Sequence, residues 1–159
     1  MSEKYHIEVQ VEEHVGPVDT QSIDDAVRLT LLHQRVEDAS EVVIVISDDD
    51  ALEDLNRRFR GVARPTDVLS FENQTRGPYS IGTAGFPRYL GDVVISLDRA
   101  REQADEAGGA LNDELQVLAV HGVLHLLGYG HADEREKEQM WTIQSEILRL
   151  LDVNIPLPE

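Results

Sequence analysis

Cysteine is absent from the sequence, which excludes disulfides and thiolate metal sites and leaves the compartment open. No hydrophobic run is long enough to span a membrane, and the first residues, MSEKYHIEVQVEEH, carry no apolar signal core. The expectation is a cytoplasmic protein without a membrane partner. Positive charge is scarce. Lys and Arg number 14 against 31 Asp and Glu, the net charge is -17, and only two of the cations are lysines. That balance argues against a broad basic surface for nucleic acid. A salt-adapted source and simple solubility would each account for the excess acid. Repeats and low-complexity segments are missing too, and nothing marks a second domain.

What is present suits one domain, residues 1–159, with one core: 41% of the residues are hydrophobic. Tyr5, Ile7, Val9 and Val11 alternate with polar residues as in a half-buried strand. Ile23, Val27, Leu31 and Leu32 recur at helical spacing between about Gln21 and Ala39. Val42 to Ile46 is an unbroken β-branched run, the pattern of a buried central strand. Ser47 is expected to cap the next helix, with three aspartates after it and with Leu52, Leu55 and Phe59 facing inward. Val68 to Phe71 reads as a short strand, residues 73 to 89 as a long surface loop, and Gly91 to Ser96 as another strand. Ser96 caps a helix ending near Gly108, Asn112 caps the next, and a last helix spans about Asp133 to Leu151 before an extended tail. The order β-α-β-α-β-β-α-α-α points to a mixed α/β or α+β layer.

The chemistry concentrates in HGVLHLLGYGH, which holds three of the six histidines. His121 and His125 are four apart, so a helix projects both imidazoles from one face. Gly128 can end the helix and turn the chain, bringing His131 round to that face. Three neutral nitrogen ligands with a fourth position open describe a catalytic zinc site rather than a closed structural one. Histidines also suit copper, nickel or iron. A zinc ion so held lowers the pKa of water to about 7, for attack on a carbonyl or a phosphorus.

One position narrows the choice. Zinc proteases of the H-E-x-x-H-x-x-G-x-x-H type place a glutamate general base after the first histidine. Here that position is Gly122, which disfavours peptide hydrolysis and is expected to leave room beside the metal for a bulkier group such as a phosphate. Arg57, Arg58, Arg60 and Arg64 form a second cluster. They read equally well as a phosphate clamp and as a solvated helix end that complements the dipole.

These stretches resemble a known family. HGVLHLLGYGH is similar to the H-G-x-L-H-L-x-G-Y-D-H signature of the YbeY family of metal-dependent endoribonucleases. NRRFRGVARPTDVLSF (Asn56 to Phe71) and LGDVVIS (Leu90 to Ser96) resemble two further blocks of that family, and EREKEQMWTIQSEIL its closing helix more loosely. The resemblance implies an α+β single domain: a small, mostly mixed four-stranded sheet packed with five to six helices, and a metal site on a central helix. It implies one zinc ion held by His121, His125 and His131, and it promotes Arg60 over its neighbours as the functional arginine. It implies cleavage of single-stranded RNA in rRNA maturation, at the 3′ end of the small-subunit rRNA, and in ribosome quality control. The implied partners are the small ribosomal subunit, with a ribosomal protein or a GTPase presenting substrate, and no DNA. The family's aspartate before the last histidine is Gly130 here, so Asp133 or Glu134 is a candidate stand-in. A positive cleft near Arg57 to Arg64 is expected in an otherwise negative molecule. Rival readings are a zinc metalloprotease and a ribosome-associated factor that binds metal without catalysis.

Overall fold

The run SEVVIVIS forms a strand, β2 (Ser40–Ser47), buried along its whole length. A strand apolar on both faces needs cover on both faces, and the chain supplies it. In this computed structural model, which describes residues 4–72, 88–130 and 132–153, β2 pairs in parallel with β1 (Tyr5–Val11) on one side and β4 (Arg88–Ser96) on the other. The strand β3 (Val68–Glu72) lies antiparallel to β4 and ends the order β1-β2-β4-β3. Five α-helices are present among the described residues: α1 (Thr20–His33), α2 (Asp49–Arg60), α3 (Leu97–Ala107), α4 (Leu111–Leu126) and α5 (Glu134–Leu150).

Alternation along β2 sorts these helices between the two faces. Val42, Ile44 and Ile46 meet Ile23, Val27 and Leu31 of α1 and Leu115 and Leu118 of α4. Val43 and Val45 meet Leu52 and Leu55 of α2 on the other side. Met140, Ile147 and Leu148 of α5 then close over Val117, Val120 and Leu124 of α4. The helix α4 is therefore enclosed, with the sheet on one side and α5 on the other. This is the expected α+β arrangement of a mixed four-stranded sheet with five helices, in the expected order.

Several local expectations give way to packing. Ser47 belongs to the β2 ladder, opposite Ser96, and its side chain is buried. The cap falls instead to Asp48, whose carboxylate accepts from the Ala51 N–H at 2.9 Å. That N–H is the main reason its pKa lies below the ordinary carboxylate range, with His14 adding to the effect. The helix α1 stops at His33, short of Ala39, because Arg35 takes a left-handed φ of 54°. Phe59 is exposed rather than inward and meets Phe71 edge-on with ring centroids 5.3 Å apart. Ala110, not Asn112, precedes α4, and Asn112 bonds Asp19 instead. The strand β4 starts at Arg88, and the rest of the expected loop, 73–87, lies outside the described residues, as do tail residues 154–159.

Gly122 is the point where α4 touches the sheet. A Cβ there would lie 2.5 Å from Val93 Cγ1 and 3.3 Å from Ser70 Oγ, and that hydroxyl donates to the Gly122 carbonyl at 2.9 Å. The missing side chain is thus taken up by helix-sheet packing, and the expected room beside the metal is not there. Gly122→Ala gains about 1 kcal/mol of helix propensity but presses on a fully buried, stiff β-branched neighbour. The expected net loss is ~1–2 kcal/mol in urea denaturation. Combining it with Val93→Ala should cost less than the two single losses added together. A gain in stability for Gly122→Ala alone would refute the close-packing account.

Candidate active site

The end of α4 is built by hydrogen bonds that glycine permits. Gly128 takes a φ of 104° and donates to the His125 carbonyl at 3.0 Å, while the Tyr129 N–H reaches the Leu124 carbonyl at 3.1 Å. This crossed pair of bonds turns the chain back over the helix, as expected of Gly128. The turn delivers the Tyr129 carbonyl to His125 Nδ1, 2.9 Å away. Tyr129 is itself anchored, its hydroxyl donating to Gln34 Oε1 at 2.6 Å.

His121 is oriented from the other side. Its Nδ1 lies 3.0 Å from Oε1 of Gln144, a fully buried residue of α5. Both partners are acceptor oxygens, so each Nδ1 carries the hydrogen and each Nε2 presents a lone pair. The two Nε2 atoms face each other at 3.1 Å, with the rings 80° apart. Lone pairs at that distance repel unless a cation or a proton lies between them. Nitrogens bound tetrahedrally at about 2.0–2.1 Å from zinc would sit roughly 3.3 Å apart. The donor chemistry and the spacing therefore fit a zinc ion. His131, the third expected ligand, lies outside the described residues. No third His, Cys, Asp or Glu joins the pair among the described residues. Of the two proposed stand-ins for the family aspartate, Asp133 uses Oδ1 to cap α5 through the Glu136 N–H at 2.8 Å, and Glu134 is exposed.

The two histidines open onto a cleft of about 520 Å³ along the sheet edge formed by β3. Arg60, from the last position of α2, lines the same cleft. Gly61, in the left-handed conformation, ends α2 there. The four arginines part company. Arg57 and Arg58 turn to Asp54, Arg60 joins the histidines, and Arg64 lines an adjoining cavity with Arg60. The cleft is not uniformly positive as expected, because Asp67 and Glu72 line it too.

Glu114 and Gln144 were missed in the sequence. Gln144 sits on the buried stripe of Met140 and Ile147, and a polar residue on such a stripe signals a buried hydrogen bond. Glu114 lies on the α4 face that carries Leu118, His121 and His125, at helical spacing. It is only 5% exposed, and burial, followed by the nearby charge of Asp67, pushes its pKa from 4.5 up to about 7. Its place in the first turn of α4 works the other way, but a helix dipole is worth only about 0.3–1 kcal/mol. Burial wins. A carboxyl whose pKa is higher in the folded chain favours folding at low pH. That advantage is complete below about pH 4.5 and is lost as pH rises to about 7, a change of roughly 3 kcal/mol. Glu114→Gln is therefore expected to be more stable than wild type near pH 8, the gap closing near pH 5. Thermal melts at both pH values check this, and a gap independent of pH would contradict it.

A four-stranded α+β sheet with a histidine pair on its enclosed helix and a guanidinium across an edge cleft defines the structural class. The fold recurs in the solution structure of TM1509 from Thermotoga maritima, with a TM-score of 0.59 and 22% identity, over 91% of this chain and 88% of that one. The family model described as Endoribonuclease YbeY matches residues 7–152. A protein named Endoribonuclease YbeY from Lysinibacillus sphaericus is 45% identical over 118 residues, 73% of this chain and 75% of its own. Its namesake from Bacillus subtilis is 41% identical over 128 residues, 79% and 82% of the two chains. The chain belongs to the YbeY family. No helix among the described residues is long and apolar enough to cross a membrane.

Proposed function

We propose that this protein is a zinc-dependent endoribonuclease that cuts single-stranded RNA, acting in the cytoplasm on the 3′ end of small-subunit rRNA and in ribosome quality control. The observation that carries the reading is the meeting of two Nε2 donors and Arg60 in one cleft. The family and the names of its curated relatives support the reaction class. His121, His125 and His131 would hold the ion, which when bound supplies Lewis-acid polarisation of a phosphoryl oxygen and acidifies water. Gln144 and the Tyr129 carbonyl fix the tautomers that leave both Nε2 atoms able to bind. Arg60 pairs with the phosphate and stabilises the charge that grows in the transition state. No residue is assigned as general base. Gly122 faces Val93 rather than the cleft, so the position occupied by the base in long-motif zinc proteases serves packing here.

The small ribosomal subunit is the partner in this reading, with a ribosomal protein or a GTPase presenting the RNA and with neither DNA nor a membrane involved. Incubation with a precursor of the small-subunit 3′ end, with its duplexed form and with the DNA equivalent tests it. Cleavage confined to the single-stranded RNA is expected. Product ends then report the nucleophile: a 2′,3′-cyclic phosphate marks attack by the RNA 2′-OH and rules out direct attack by water. Equal cleavage of duplex and single strand would overturn the substrate assignment.

A further inference from the structure

Beside the histidine cleft is a second cavity of about 420 Å³, lined by Arg60, Arg64, Arg99, Asn56 and Thr66 among others. Its size falls in the ~300–1,000 Å³ range of small-ligand sites. Three arginines line this one cavity in a chain of net charge -17. Two of them, Arg60 and Arg64, pair with no carboxylate among the described residues, whereas Arg57 and Arg58 are both spent on Asp54. Arg99 is held in place through its Nε, 3.3 Å from Asp49 Oδ1. Arginine clusters of this kind grip phosphate oxygens.

Asn56 adds a second and independent feature. It is 4% exposed. Its Nδ2 donates to the Arg64 carbonyl at 2.9 Å and so shapes the wall of the cavity. Its Oδ1, also buried, has no hydrogen-bond partner among the described residues. An unsatisfied buried acceptor is costly unless a ligand supplies a donor. A phosphate cannot do that, but the hydroxyl or amino group of a nucleotide can. Arg60 and Thr66 line both this cavity and the histidine cleft, so the two sites share a wall.

We propose that this cavity seats the nucleotide next to the one being cut, with Arg64 and Arg99 holding its phosphate and Asn56 Oδ1 accepting from a hydroxyl or amino group of the same nucleotide. The inference rests on the single-stranded RNA reading above, and it makes Arg64 and Arg99 binding residues rather than catalytic ones.

The test is fluorescence anisotropy with a labelled single-stranded oligoribonucleotide across a salt series, on the full chain. Arg64→Ala and Arg99→Ala are each expected to weaken binding on the order of ten-fold and to lower the salt slope by about one phosphate contact. Arg57→Ala should bind as wild type. Arg64 is exposed, so its variant is expected to fold even if the loss of the Arg99–Asp49 pair disturbs α3. A parallel assay compares cleavage of the oligonucleotide with that of a dinucleotide, which has only the scissile phosphate. Arg64→Ala should slow the first about ten-fold and the second far less, whereas Arg57→Ala, its arginine paired with Asp54, should leave both at the wild-type rate. RNA binding that is lost in Arg64→Ala, by a wild type that never cuts RNA, would sink the nuclease reading and leave the cavity as a site for a nucleotide of single-stranded RNA. Wild-type binding and cleavage by both variants would overturn the cavity assignment alone. So would a defect confined to capture of a ribosomal protein.

Discussion

Cleavage of single-stranded RNA by His125→Ala is expected to fall on the order of 10³-fold or more, with bound zinc falling alongside it. His125 contributes one of two Nε2 atoms 3.1 Å apart, so its loss removes a donor from a set in which every donor counts. The fold should survive. His125 is only partly buried, and alanine is the best helix former for its place in α4. A melt within a few degrees of wild type would therefore accompany the loss of metal. Persistent cleavage after the metal has gone would show that the histidine pair is not the reaction centre. Loss of cleavage with unaltered ribosome maturation in cells would favour a factor that binds pre-ribosomes and recruits another nuclease.

Arg60→Ala gives a different signature. Cleavage should fall about 10²–10³-fold, the usual cost of one transition-state donor, while zinc content stays at the wild-type level because Arg60 is not itself one of the proposed ligands. Arg60→Lys restores the charge but not the planar fork, so it should recover only part of the rate. Arg57→Ala is the matched control, since Arg57 is engaged with Asp54 on the exposed side of the same helix. Measured kcat and zinc stoichiometry on the three variants separate positioning of phosphate from positioning of metal. A loss of zinc in Arg60→Ala would mean that the residue supports the fold of the site and does not act on the substrate.

The parts of this molecule that could be read in advance are those set by local chemistry. The run from Val42 to Ile46 has no polar position to turn toward water, so it had to be a central strand. Ser96 and Gly108 mark the two ends of α3 by ordinary capping. His121 and His125 share a helical face by spacing alone, and Gly128 turns the chain after them. Tertiary choices were not legible in this way. Ser47 and Asp48 are both competent caps, and only pairing of Ser47 with Ser96 in the sheet decides between them. Gly122 reads equally as open space and as a contact point until Val93 is placed opposite it. Phe59 fits an inward helical stripe, but α2 ends one residue later, at the sheet edge. The same holds at the site. The arginine cluster is visible in sequence, yet its division among Asp54, the histidine cleft and the second cavity depends on the path of α2 past β3. Gln144 is 23 residues from His121, a pairing that only the packing of α5 on α4 creates.

Zinc-dependent cleavage of single-stranded RNA is tested most directly by a zinc titration of metal-free protein, followed by cleavage of a labelled single-stranded RNA and of its duplex. No cleavage is expected at the start, followed by a rise that levels off at about one zinc per chain, with the duplex spared. Full cleavage by the metal-free chain, or none at any zinc ratio in a protein that is folded and takes up the ion, would contradict zinc-dependent cleavage.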